Sequence, residues 1–310
     1  MTSPHDTAQA LLQVDKLSKH YGHTHDTVHK VLDEVSFDLH AGQTLGVVGE
    51  SGCGKSTLAR ALMRLTPASS GSVRFSDLDW ISSSAAPARA QRQRMQMVFQ
   101  DPFSSLNPKH RVGEIVREPL DINHPEVPKA ERLRRVLELL DTVGLSAGDA
   151  AKYPHEFSGG QRQRIAIARA LALKPQLLIA DEPVSALDVS IQSQILNLLM
   201  ALRAQHGMAM LFISHDLSVI RHLSDKVAVM YFGRIVEIAP TQQLYSQPAH
   251  PYTQLLLRAI PGQARHKPAA PEAHSLGIED SELPDPSAPP VGCAFAKRCP
   301  HKMARCTQEA

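Results

Sequence analysis

Residues 45–57 read Leu45-Gly46-Val47-Val48-Gly49-Glu50-Ser51-Gly52-Cys53-Gly54-Lys55-Ser56-Thr57. The first four form a short apolar run, the pattern of a strand buried on both faces. The other nine fit G-x-x-x-x-G-K-[ST], and a helix-compatible stretch follows from Leu58. Strand, glycine-rich loop and helix in that order make a phosphate cradle. Glycines let successive N–H groups turn inward, and the helix adds the positive end of its dipole. In such a cradle Lys55 reaches the β- and γ-phosphates and Ser56 ligates magnesium. The competing reading is a glycine-rich turn that matches by chance, and the strand directly before it argues against that.

Outward from the loop, Leu177-Leu178-Ile179-Ala180 and Met210-Leu211-Phe212-Ile213 are further apolar runs of strand length. Between them, Leu133, Val136, Leu137, Leu140 and Val143, and later Ile195, Leu198, Leu199 and Leu202, recur at helical spacing. The expected core is α/β with a parallel sheet. From Pro261 to Pro290 seven of 30 residues are proline and few are large and apolar. That stretch reads as a linker, which places the end of the main domain near residue 260.

The 310 residues carry 33 Lys and Arg against 31 Asp and Glu. Such a balance gives no one-signed surface of the kind nucleic-acid binding needs. No run reaches the 18 or more apolar residues of a membrane span, and Met1 to Ala10 lacks the pattern of an export signal, so a cytosolic chain is expected.

Strand Leu177–Ala180 ends in Asp181-Glu182. Two carboxylates at the carboxyl end of a parallel sheet stand where open α/β folds bind ligands. Asp181 is expected to hold magnesium, and Glu182 to orient or deprotonate the attacking water. Alone the pair reads as a strand ending at the surface; with a phosphate loop upstream, that reading loses. His215 follows the strand at Met210–Ile213 and is a candidate hydrogen-bond donor to the γ-phosphate.

Before the acidic pair stands Phe157-Ser158-Gly159-Gly160-Gln161, opening a helix from Arg162. Ser158 and two glycine N–H groups at a helix start form a second anion trap, without a lysine to make a site alone. With this pentapeptide the sequence resembles the ATP-binding-cassette family. The family commonly has Leu where Phe157 stands. The resemblance implies a P-loop, RecA-like nucleotide-binding domain over 1–260, with an antiparallel β subdomain and a helical subdomain at about 101–165. It further implies that two such domains pack head to tail, so that Ser158, Gly159, Gly160 and Gln161 cap the ATP held by the partner's phosphate loop. Matching positions are Tyr21 for stacking on adenine, Gln100 as a magnesium ligand beside Ser56 and Asp181, and Ser185-Ala186-Leu187-Asp188 after the acidic pair. Glu182, His215 and Gln100 form the expected catalytic set.

Met97 to Pro108, Glu156 to Arg164 and the tail around Gly292-Cys293 and Arg298-Cys299-Pro300 look like the bacterial oligopeptide and dipeptide importers, most of all the second ATPase subunit of a dipeptide importer. That likeness implies ATP-driven import with a sister ATPase, two membrane-spanning permeases and, indirectly, an extracytoplasmic peptide-binding protein, with this chain on the cytoplasmic face of the inner membrane. Related motors that serve nickel, glutathione or sugar import, or soluble DNA-repair and translation factors, are the alternatives.

Cys293, Cys299 and Cys306 are spaced C-x5-C-x6-C in a segment, 291–310, that looks too short and polar for a core. Free thiols, a disulfide, zinc and an iron–sulfur cluster are the alternatives, and the spacing lacks the C-x2-C pairs zinc favours. Importer ATPases of the resembling group often carry a C-terminal [4Fe–4S] site, so a cluster is implied, with His301, a carboxylate, an exogenous thiol or an open iron in place of a fourth cysteine.

Overall fold

The computed structural model describes residues 9–22, 29–260 and 291–308. The proline-rich 261–290 lies outside them. In chain order the first elements are β1 (Leu12–Tyr21), β2 (His29–Leu39), β3 (Thr44–Val48), α1 (Lys55–Leu62), β4 (Ser70–Phe75), β5 (Leu78–Asp79), α2 (Ala85–Arg92) and β6 (Met95–Val98). Next come α3 (Pro102–Ser105), α4 (Val112–Asn123), α5 (Lys129–Thr142), α6 (Gly159–Leu171), β7 (Leu177–Asp181), α7 (Val189–His206) and β8 (Ala209–Ile213). Then follow α8 (Leu217–Leu223), β9 (Lys226–Tyr231), β10 (Arg234–Pro240), α9 (Thr241–Ser246), α10 (Pro251–Arg258) and a 3-10 turn at Ala304–Thr307. These elements form two compact bodies.

The phosphate-loop body comprises Leu12–Asp38, Leu45–Ile81 and the described residues from Ser214 onward. One sheet runs in the order β2-β1-β4-β5, with β1 and β4 antiparallel in the register Leu12↔Phe75 and Val14↔Val73. All four of those side chains are buried. Trp80 closes this layer: its ring meets Phe75 edge-on at 6.4 Å, and Nε1 donates to Leu62 O at 2.6 Å, which satisfies the one polar atom of a fully buried indole. Strand β3 runs parallel to β9 in the register Val47↔Ala228, and β9 turns back antiparallel into β10. The connection is the pair Phe232-Gly233, both at positive φ, the geometry of a two-residue hairpin turn that follows strand twist.

The acidic-pair body is built chiefly from Leu39–Thr44 and Ser82–Ile213. Here β7 lies between β6 and β8, parallel to both, with Met95↔Leu177 and Asp181↔Ile213 in register. Every residue of β7 and β8 is buried, as the continuous apolar runs predict. Val136 and Leu140 of α5, and Ile195, Leu199 and Leu202 of α7, face inward as their spacing predicts. Leu133 does not; it is exposed. Helix starts are set by local chemistry: Asp101 accepts from Phe103 N and Ser104 N ahead of α3, and Glu114 Oε2 accepts from Arg111 N ahead of α4.

Candidate functional site

The phosphate loop lies between β3 and α1. The helix starts at Lys55, three residues before the expected start, because Gly54 itself serves as the N-cap. Gly54 has φ 106, a left-handed conformation, and a Cβ there would stand 2.5 Å from Val31 O, so only glycine fits. The N–H groups of the first turn of α1 have no acceptor inside the helix, which leaves them aimed at an incoming anion. Above Gly52 the space is open: a Cβ there would meet nothing within 4 Å. Lys55 is only 4% exposed, and its Nζ donates to Gly49 O at 2.8 Å and Glu50 O at 3.0 Å. A buried ammonium held by loop carbonyls supplies the cation that phosphate oxygens need. Neighbouring Cys53 is buried, and burial pushes its thiol pKa up against the lowering effect of Lys55. It stays protonated at neutral pH and is a packing residue of the loop.

Two further groups of this body stand by the loop's supports. Ser214 N donates to Val47 O at 3.1 Å, tying the turn that carries exposed His215 to the strand that delivers the loop. Gly233 N, at the tip of the β9–β10 hairpin, donates to Cys53 O at 3.0 Å. Tyr21, at the end of β1, presents a 45% exposed ring with Lys19 Nζ 4.7 Å from its centroid. Exposure of that extent leaves a face free for stacking.

In the acidic-pair body, buried Asp181 ends β7 and Glu182 follows at φ 45, a left-handed conformation that costs a side-chain-bearing residue on the order of 1–3 kcal/mol. The surroundings hold it there: Glu182 N donates to Ile213 O, and Ser185 N and Oγ both donate to Glu182 O. The turn aims the carboxylate at Gln100, whose Nε2 donates to Glu182 Oε2 at 3.2 Å. Ser56 lies in the phosphate-loop body, and Asp181 and Gln100 in the other. A hydroxyl, a carboxylate and an amide oxygen are each hard donors of the kind magnesium takes.

The pentapeptide is a helix cap. Ser158 Oγ accepts from Gln161 N at 3.3 Å and Gln161 Oε1 accepts from Ser158 N at 3.0 Å, so α6 starts at Gly159 rather than at Arg162. Gly160 has a second reason to be glycine: a Cβ there would lie 2.4 Å from Ile191 Cγ2. A Cβ on Gly159 would lie 3.4 Å from Leu187 Cδ2. The structure thereby brings the pentapeptide together with Ser185-Ala186-Leu187-Asp188, which the sequence leaves as separate motifs. Phe157, where Leu is usual, is buried under Lys152 and points away from solvent.

The tail overturns one premise of the sequence reading. Segment 291–308 does have a core. Phe295 is 1% exposed, its ring 5.4 Å from Tyr231 and 5.6 Å from Tyr252 and His250. Backbone bonds close it, with Cys293 N donating to Cys306 O and Ala296 N to Cys293 O. Among the described residues no group of three or more His, Cys, Asp or Glu is placed to hold a metal, and Cys306 Sγ already accepts from Met303 N at 3.4 Å. The described residues therefore give no support to the [4Fe–4S] site that the resemblance implies. The residues missed from sequence are Tyr252, Phe295 and Arg298; a lone aromatic before a proline-rich stretch, or a lone aromatic or arginine beyond it, carries no signal of where it docks.

Residues 32–185 match the model of a family described as ABC transporter. The probable peptide ABC transporter ATP-binding protein y4tS of Sinorhizobium fredii is 50% identical over 310 residues, covering 97% of this chain and 86% of that protein. The chain belongs to the ABC transporter family. It is an ATPase cassette, and the family's use of ATP and magnesium accords with the residue set above. Cassettes of this family work as dimers with transmembrane permease subunits. Residues 236–306 match a second model, described as oligopeptide/dipeptide transporter, C-terminal region. The di/tripeptide transport ATP-binding protein DppF of Pseudomonas aeruginosa is 50% identical over 280 residues, with 90% of this chain and 85% of that protein covered. Among solved structures, the ATP-binding cassette MJ0796, in a dimeric post-hydrolysis state bound to ADP and Pi, aligns with TM-score 0.68 at 28% identity over 74% of this chain and 98% of that one. Among the described residues no helix is long and apolar enough to cross a membrane.

Proposed function

We propose that this chain is the ATPase that drives import of di- or oligopeptides through a bacterial inner membrane, docked on the cytoplasmic face of two permeases beside a sister ATPase. An extracytoplasmic peptide-binding protein feeds the assembly. The observation that carries the peptide reading is the match of residues 236–306 to the oligopeptide/dipeptide transporter C-terminal region, continuous with peptide-transport relatives over nearly the whole chain.

In this reading the N–H groups of residues 49–57 and Lys55 bind the triphosphate of ATP, and Tyr21 stacks on its adenine. Ser56, Asp181 and Gln100 hold magnesium, which when bound neutralises charge on the β- and γ-phosphates. Glu182 accepts the proton of the attacking water, and its bond from Gln100 fixes the carboxylate in place. His215 donates to the γ-phosphate. Ser158, Gly159, Gly160 and Gln161 cap the ATP of the sister subunit, and Ser185 to Asp188 lie along the shared boundary, where the packing of Gly159 on Leu187 supports coupling between cap and boundary.

The test is purification of this chain with the subunits it binds, followed by mass spectrometry of the solute held by the associated binding protein. Peptides of two to several residues are expected. A nickel complex, a sugar or glutathione would overturn the cargo, and recovery with nucleic acid in place of permeases would overturn the transport reading.

A further inference from the structure

Glu50, the second residue of the phosphate loop, is anchored at its side chain, its N–H and its C=O. Arg298 Nη1 lies 3.3 and 3.2 Å from the two carboxylate oxygens and Nη2 lies 3.2 Å from Oε1, a two-armed pair with both side chains mostly buried. Glu50 N donates to Tyr252 Oη at 3.0 Å. Glu50 O accepts from Lys55 Nζ. Only the last anchor belongs to the motif. The first comes from the tail, and the second comes from a ring that packs 5.6 Å from the tail's Phe295. Arg298 is fixed in turn by the fold of the tail, since its N–H donates to Phe295 O at 2.9 Å.

From this arrangement we propose that Arg298 is a positioning residue for the nucleotide site: the C-terminal segment holds the phosphate loop open and neutralises the Glu50 carboxylate, so ATP affinity depends on the tail being docked. Two effects act in the same direction. When Lys55 turns its ammonium toward phosphate, the loop loses the cross-brace on Gly49 O and Glu50 O, and the anchors from Arg298 and Tyr252 preserve its curl. Without Arg298, a partly buried carboxylate would also stand unpaired in a loop that must accept polyanionic phosphate, where like charges repel most strongly in a low-dielectric setting.

The proposal rests on residues 49–57 being the nucleotide site, and its test separates the two ideas. Equilibrium binding of MgATP to the full chain is measured for Arg298→Ala, Arg298→Lys, Lys55→Ala and the double variant Glu50→Gln/Arg298→Ala, with thermal denaturation to confirm folding. Arg298→Ala is expected to weaken MgATP binding about tenfold, the cost of one buried charge-assisted pair. Arg298→Lys restores part of it, because an ammonium supplies the charge without the fork. The double variant recovers most of the loss, since the unpaired carboxylate is gone, a rescue that general destabilisation of the tail would not give. If Lys55→Ala abolishes binding while Arg298→Ala binds as wild type, or if the double variant is as weak as Arg298→Ala, the positioning role is wrong. If Lys55→Ala binds as wild type, the site itself has been misread.

Discussion

Gln100 Nε2 donates to Glu182 Oε2 across 3.2 Å, joining the loop after β6 to the residue after β7. The bond orients a carboxylate on a backbone already held at φ 45, so its direction is set from two sides. A rigid carboxylate suits proton acceptance from a positioned water, where small displacements are costly.

Replacement of that carboxylate separates chemistry from binding. Glu182→Gln in the assembled complex is expected to lower steady-state ATP turnover by on the order of a hundred- to ten-thousand-fold, with MgATP affinity within about twofold of wild type because every phosphate contact remains. Turnover near the wild-type rate would remove Glu182 from the catalytic role.

Lys55→Ala should do the reverse. It removes the cation, leaves the carbonyls of Gly49 and Glu50 without their donor, and is expected to weaken MgATP binding by at least about tenfold. Calorimetric titration of the full chain reads this directly, and an unchanged dissociation constant would contradict the placement of phosphate at the loop.

The order of fold and site in the sequence was legible where one signal repeats. Runs such as Leu177–Ala180 and Met210–Ile213 are buried strands because continuous apolarity leaves a short segment few other options. Lys55, Glu182 and Ser158 stand out as candidates in the sequence because glycines, a lysine or paired acids at fixed spacing have few other uses. Helix starts were placed late by three residues at both α1 and α6, since in each case the motif is itself the cap. The tail was misread: Phe295 and Arg298 act through Tyr231, Tyr252 and Glu50, far away in sequence, and composition cannot register a core borrowed from another element.

Close packing gives a test in the acidic-pair body. Gly160→Ala is expected to cost about 1–3 kcal/mol of stability through overlap with Ile191. Pairing it with Ile191→Ala should recover part of that loss, as residues in contact are not additive. Equal destabilisation in the single and double variants, followed by denaturant unfolding, would show that the overlap is not the cause.

Acidification should loosen the support of the tail. His250 Nδ1 accepts from Tyr252 N at 3.1 Å to cap α10 and therefore must be unprotonated, while Glu237 Oε2 accepts from the backbone N–H of His250. Burial pulls the His250 pKa below its usual 6.5, against the opposing effect of Glu237. A histidine with a depressed folded pKa stabilises the fold above 6.5 and loses that contribution as pH falls below 6.5 and through the lower folded value. The ring should titrate by NMR with a midpoint below 6.5, and stability should fall over that acidic range less steeply in His250→Asn. A midpoint at or above 6.5 would contradict the capping role.

The central claim is that this chain couples ATP hydrolysis to peptide import, and peptide uptake into vesicles containing the assembled complex tests it most directly. With peptide-loaded binding protein outside and MgATP at the cassettes, labelled peptide should accumulate inside, ATP turnover should rise on peptide loading, and both should vanish with Glu182→Gln. Turnover that is indifferent to peptide, or uptake that persists with Glu182→Gln, would contradict the account.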